Sequence, residues 1–359
     1  MRVLHVSPTY FGSDSVLGGG ERYAHELAKA MAQRAEVALL SFARKASSRW
    51  EGSLRTEYLR QDRLFSTRFI RWIRWAEVLH CYQLYTRCTD IALLLGRLFG
   101  KKTFCTDLGG GERFSLSYHI PIMKRARAFL LLSEYSRKQW EAAPTKAHPR
   151  DLRVIYGGVD TGVFSPGKVA RSRSVLFVGR LLPHKGIDYL IDALDETIPL
   201  RIAGTAYDPA YLELLRGKSK GKLVTFHFRA SDQELVSLYQ EALVTVQPSV
   251  YETCYGQKTA VPELLGLAAL ESMACGTPVI VTAVGALPEI VLDGITGFIV
   301  PPNNPKALRE KILYLRENPR VAHEMGRRGL ERVLKHFTWN AVVTRCLSAY
   351  EEKPVGTRP

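Results

Sequence analysis

The chain has 359 residues, 46% of them hydrophobic and 24% charged, and a net charge of +15. That length exceeds what one hydrophobic core usually supports, so two domains are expected, and the composition is that of a soluble globular protein. Residues 1–165 hold 26 Lys+Arg against 15 Asp+Glu, while the remainder holds 24 against 20. This points to an anionic surface or substrate, but zinc-finger spacing, a basic zipper and an RNA-recognition aromatic motif are missing, so no nucleic acid partner is expected.

In chain order, short apolar runs alternate with segments of helical period, the pattern of parallel sheets covered by helices. The first strand is VLHVS (3–7), followed by GSDSVLGGGERY, in which Gly18, Gly19 and Gly20 precede a helix. Glycines there let a ligand approach the backbone at a helix amino end, or they form a turn. Further strands are EVALLSF (36–42), VLHCY (78–82), KTFCT (102–106), AFLLLS (128–133) and LRVIY (152–156). Between the second and third lies RLFSTRFIRWIRW (63–75), where Arg68, Arg71 and Arg74 recur every three residues among aromatic and aliphatic side chains. Such a segment suits an interfacial helix on anionic lipid, or a basic helix packed on its own domain. After the fourth strand, FCTDLGGGERF (104–114) sets Asp107 beside Gly109, Gly110 and Gly111, either to orient a sugar hydroxyl or acceptor, or to form a turn.

The rhythm restarts after SPGKVARSRS with VLFVG (175–179), LRIAG (200–204), LVTFHF (223–228), LVTVQPS (243–249) and PVIVT (278–282). Helices are expected at 186–195, 209–217 and 231–241, and near 305–317, 320–335 and 339–352. Arg180 and Lys185 in FVGRLLPHKGIDYLIDAL fall just past a strand and just before a helix, a place suited to binding a diphosphate, or simply a solvated basic turn. PELLGLAALESMACGTPVIV (262–281) holds Glu263 and Glu271 with seven uncharged residues between them. Leu267 to Cys275 reads as a short buried helix. On one continuous helix the two carboxylates would lie roughly 80° apart and about 12 Å along the axis, so they cannot share one small atom but can hold two ends of a long ligand. A buried carboxylate needs hydrogen-bond donors, and vicinal sugar hydroxyls supply them. Glu271 is then expected on a ribose and Glu263 on the transferred sugar; the plainer reading leaves Glu263 favouring a helix amino end and Glu271 paired with an arginine.

The six cysteines (Cys81, Cys88, Cys105, Cys254, Cys275, Cys346) form no C-x-x-C pair and mostly sit in apolar runs, which points to buried thiols in a reducing compartment. The opening MRVLHVSPTY has too short an apolar core for a signal peptide, and no run approaches the roughly 18 apolar residues of a spanning helix, so a cytosolic protein is expected.

VGRLLPHKGIDYLIDAL and PELLGLAALESMACGTPVIVTAVGALPEIVLDGITGFIVPPNNPKAL together resemble the strand–R–x4–K–G element and the E-x7-E region of the retaining glycosyltransferases of family 4 (glycosyltransferase group 1). The resemblance implies an α/β protein of the GT-B fold, two Rossmann-like doubly wound domains facing a cleft. Residues 1–165, rejoined by the helix 339–359, would be the acceptor domain, and 166–338 the nucleotide-sugar domain. It further implies a retaining hexosyltransferase that moves a sugar from a nucleotide diphosphate to a hydroxyl acceptor. Arg180 and Lys185 would hold the diphosphate, Glu263 the donor sugar and Glu271 the ribose. Backbone contacts would come from Gly266, Leu267 and Ala268, with Gly179 and Gly18, Gly19 and Gly20 also on the donor, and the acceptor site would lie mostly in the first domain near Gly18 to Gly20, with Asp107, Gly109 and Gly110. No D-x-D motif is present, and no metal or cofactor is expected; a UDP-sugar is favoured over a GDP-sugar. The acceptor is expected to be a glycan, a small molecule or a lipid-linked sugar, with docking to the inner face of a membrane through 63–75.

The sequence departs from the family pattern in three places. YETCYGQKTAV (251–261) lengthens the approach to Glu263 and offers Glu252 as a competing first acid; Glu263 is preferred because it stands eight positions before Glu271. Asp107 stands where many relatives place a histidine, and Tyr156–Gly157 replace a common proline–asparagine. A nucleotide-sugar epimerase, a phosphorylase and a non-catalytic nucleotide-sugar binder are the rival readings.

Overall fold

The computed structural model describes residues 1–8, 19–60, 66–109, 111–112, 114–143, 148–149, 151–168, 171–259 and 262–352. Two compact units emerge: Met1–Gly158 with Trp339–Pro359, and Val159–Thr338. The first crossing comes earlier than the boundary expected at 165/166. The reason is that Val159 donates its N–H to the Phe337 carbonyl (2.8 Å) and Phe164 sets its ring edge-on to Tyr239, which ties 159–164 to the second unit.

Among the described residues the first unit holds β1 (Arg2–Val6), α1 (Gly19–Met31), β2 (Glu36–Ala43), β3 (Ser47–Glu51), β4 (Leu54–Arg60), α2 (Thr67–Trp75), β5 (Val78–Tyr82), α3 (Arg87–Leu98), β6 (Lys102–Thr106), β7 (Ala128–Leu131), α4 (Glu134–Ala142) and β8 (Leu152–Val154). The sheet order is β3-β4-β2-β1-β5-β6-β7-β8, parallel except for the β3–β4 pair. Phe69 and Ile73 of α2, Ile91 and Leu93 of α3, and Phe129 of β7 fill one core layer, as strand alternation and helical period require.

The second unit holds β9 (Val175–Val178), α5 (Ile187–Ala193), β10 (Leu200–Ala203), α6 (Pro209–Lys218), β11 (Val224–His227), α7 (Asp232–Glu241), β12 (Val244–Gln247), α8 (Leu267–Ala274), β13 (Val279–Thr282), α9 (Leu287–Ile290), β14 (Gly297–Val300), α10 (Pro305–Glu317) and α11 (Pro319–His336). Its wholly parallel sheet runs β11-β10-β9-β12-β13-β14. The order reverses between β9 and β12. Ligands of doubly wound sheets bind at that switch point, beyond the strands' carboxyl ends. The last helix, α12 (Trp339–Glu351), packs on α1 in the first unit.

Between the first sheet and these two helices lie two buried histidines on neighbouring strands, His5 directly across from His80. His5 Nδ1 lies 2.6 Å from the Tyr82 hydroxyl, while His80 bonds the Tyr350 hydroxyl of α12 (2.7 Å) and Thr106 Oγ1 (2.7 Å). Burial drives the His5 pKa down to about 3; burial and the adjacent His5 hold His80 well below its ordinary value. Both are neutral when folded and take up protons when unfolded. Their stabilisation is therefore complete above about pH 6.5 and is lost as pH falls toward their folded values, at about 1.4 kcal/mol per histidine per pH unit. The melting temperature is expected to drop steeply between pH 6.5 and 5, with a shallower slope for His5→Asn. A flat pH profile contradicts this account.

Candidate functional site

Two loops meet at the β9–β12 switch point. The chain leaves β9 through Gly179 and Arg180 into a short 3-10 turn, Pro183–Lys185, while β12 continues to Ser249 and Val250. Val250 donates its N–H to the His184 carbonyl (2.9 Å), and Gln247 Nε2 bonds the Val178 carbonyl (3.0 Å), so both loops are tied at their roots. Gly186 has φ +65°, and a Cβ there would fall 2.1 Å from the Pro248 carbonyl oxygen; only glycine lets the turn close against β12.

This closure brings Lys185 onto Glu263. Lys185 Nζ stands 2.5 Å from Glu263 Oε1, which also accepts the Ser249 hydroxyl (2.8 Å). Oε2 makes no hydrogen bond among the described residues. Burial would raise the Glu263 pKa, but the Lys185 charge and hydrogen bond, with Ser249, outweigh it and hold the carboxylate below its ordinary value. The backbone of Glu263 is fixed from β13's side: its carbonyl accepts Ala286 N–H (3.1 Å), and Gly285, at φ +55°, would carry a Cβ 2.2 Å from that oxygen. Arg180 is exposed and has no ion pair among the described residues. His184, beside it, is held at a pKa of about 4 by burial and then by the Lys185 and Arg180 cations against the pull of Glu263, so it adds no charge near neutrality.

From Glu263 the chain enters α8. Gly266 is its N-cap, no side chain caps this end, and Leu267 and Ala268 open the helix half-buried. The first amide groups of a helix lack intrahelical acceptors, so this end favours an anion. Glu271, one turn on, is buried and faces α7, where its Oε2 accepts the Tyr239 hydroxyl (2.9 Å). Glu252, the competing acid, is exposed at the base of a hairpin closed by Thr253 and Gln257; its carbonyl accepts Asn303 Nδ2 (2.9 Å), and its bridge partner is Lys258.

In the first unit, Asp107 follows β6 and accepts Gly109 N–H on Oδ1 (3.0 Å) in an Asx turn, with a further hydrogen bond from the Trp140 side chain. Burial raises its pKa against those bonds. Gly20, on the first turn of α1, lies against Leu108, so the α1 end and the Asp107–Gly109 turn adjoin. Gly18 and Gly110 lie outside the described residues. Ser249, His184 and Gly285 escaped sequence reasoning; the only signal for Gly285 was its place in TAVGALPEI, just after a strand.

Residues 161–332 match the family model for glycosyl transferases group 1, and residues 17–163 that for glycosyltransferase family 4. The α-maltose-1-phosphate synthase of Mycobacterium tuberculosis is 28% identical over 275 residues, 68% of each chain. Among solved structures, sucrose-phosphate synthase from Thermosynechococcus elongatus superposes with a TM-score of 0.76 at 23% identity over 98% of both chains. HepE of Anabaena, solved with UDP and glucose, gives a TM-score of 0.76 at 16% identity over 97% of this chain and 99% of its own. The chain therefore belongs to the group 1, family 4 glycosyltransferases and has the GT-B fold.

Proposed function

We propose that the protein is a retaining, metal-independent hexosyltransferase that uses a nucleotide-diphosphate sugar, UDP-linked rather than GDP-linked, and a hydroxyl acceptor. The observation that carries this reading is the Lys185–Glu263 pair at the switch point, with Arg180 beside it and the uncapped end of α8 following Glu263. Arg180, Lys185 and the amides of Gly266, Leu267 and Ala268 neutralise the departing diphosphate, the task a metal performs elsewhere. Glu263 turns Oε2 to a hydroxyl of the donor sugar, and Glu271 takes the ribose. The acceptor oxygen bonds to the anomeric carbon on the face from which the carbon–oxygen bond to the diphosphate breaks, and the acceptor proton passes to a phosphate oxygen of the leaving group. Gly19, Gly20, Asp107 and Gly109 belong to the acceptor side. HepE's complex with UDP favours uridine as the base.

The basic first unit favours a lipid-linked or polysaccharide acceptor handled at the inner face of a membrane. Among the described residues no helix is long and apolar enough to cross one. The experiment is to follow UDP-sugar and an acceptor by NMR with a chelator present. The expected product has the donor's anomeric configuration, at an unchanged rate. An inverted product, loss of rate to the chelator, an epimer formed from donor alone, or donor binding without turnover each overturns the reading.

A further inference from the structure

In the first unit α3 packs on α2 along one side and on the turns Leu116–Tyr118 and Ile122–Arg125 along the other. Asp90, fully buried in the first turn of α3, joins them: its Oδ2 accepts Ser115 Oγ (2.8 Å) and Leu116 N–H (2.7 Å), and its Oδ1 accepts the Ser117 hydroxyl. Inward, Phe69, Ile73, Ile91, Ile122 and Met123 fill the core. Outward, Leu98 is 73% exposed and Phe114 76%, with Leu94, Leu116, Tyr118 and Ile120 also open to solvent. Arg68, Arg71 and Arg74 on α2, Arg97 on α3, and Lys124 with Arg125 at the end of the second turn are exposed around them. Residues 66–75, 87–98 and 114–127 contain eight Lys+Arg and one acidic residue, Asp90, which is turned inward.

We propose that α2, α3 and residues 114–125 form one docking surface for an anionic lipid bilayer, with the aliphatic and aromatic side chains of α3 and 114–120 entering the acyl boundary and the arginines of α2 on the phosphates. This deepens the membrane part of the proposed function and rests on it, but extends it from one helix to a three-element face. Exposed aliphatic side chains ringed by cations suit a surface that is apolar below and anionic above. A nucleic acid would gain nothing from Leu94, Leu98, Leu116 and Ile120, which offer no ring for a base to stack on. A second copy would set like charges against each other.

The test is co-sedimentation of the full chain with phosphatidylcholine vesicles, alone or with about one-third phosphatidylglycerol. Binding is expected only with the anionic lipid. Arg68→Glu with Arg71→Glu lowers partitioning at least about 25-fold, since each basic side chain near such a surface is worth roughly fivefold. Leu94→Ser with Leu98→Ser lowers it roughly tenfold and abolishes the part that survives high salt. Transfer to a water-soluble acceptor stays unchanged in both double variants, which also shows them folded; activity absent from the wild type as well indicts the transferase reading instead. Equal binding to both vesicle types, insensitivity to both double variants, preferential binding to a duplex oligonucleotide, or self-association through Leu98 in place of vesicle binding overturns the proposal.

Discussion

Lys185→Ala is expected to lower kcat/KM about 10³-fold, equivalent to about 4 kcal/mol of transition-state stabilisation, because it removes a fixed cation from the departing diphosphate. The same change strips Glu263 of its main partner, leaving a buried carboxylate with the Ser249 hydroxyl alone. Removing one member of a buried ion pair costs about 3 kcal/mol or more, so the melting temperature falls as well. The two effects separate in the double variant Lys185→Met with Glu263→Gln, which has no charge left to strand. It is expected to recover most of the lost stability and none of the lost activity. Steady-state kinetics and thermal denaturation on the wild type, the single and the double variant give the answer. Activity recovering together with stability would mean that the pair only holds the two loops in register.

Glu271→Ala has the second large effect, on donor affinity. A carboxylate accepting two ribose hydroxyls contributes about 1.5 kcal/mol per bond at the lower end of the range for charged partners, so donor binding is expected to weaken about 100-fold. Because the ribose contact is made alike before and during the reaction, KM rises while kcat changes little. Tyr239→Phe is the control: it removes the 2.9 Å bond that orients Glu271 but leaves the carboxylate. Its expected cost is about tenfold, and a cost equal to that of Glu271→Ala would make Tyr239, not the carboxylate, the contact that matters.

Much of this fold is readable in the chain. VLHVS, VLHCY and VLFVG are β-branched, apolar and short, and they become the central strands β1, β5 and β9. The strands at the sheet edges are harder to see. SSRWE, β3, carries charge because it is exposed at the end of the sheet; LRTEYLR, β4, lies inside it but holds Arg55 and Glu57 as an ion pair, and GFIV, the edge strand β14, follows directly on a turn. For the site, spacing singles out Lys185 and Glu263 separately, but nothing in either segment says that they touch. Their pairing follows from β9 and β12 being neighbours and from Gly186 closing on Pro248, which is strand order and backbone geometry rather than local pattern. The hairpin that carries Glu252 is likewise invisible in YETCYGQKTAV, since its closure depends on backbone bonds between Thr253 and Gln257 and between Thr259 and Tyr251. The first unit's Asp107 shows the limit from the other direction. A carboxylate before glycines suits either a ligand or a turn, and Asp107 does make the turn, with Gly109.

Calorimetric titration of UDP into the wild type and into Glu271→Ala, side by side, tests most directly whether the second unit holds one nucleotide-sugar site. The account predicts saturable binding at one site per chain in the wild type, weakened about 100-fold in the variant. UDP that fails to bind the wild type, or binds both proteins equally well, contradicts it.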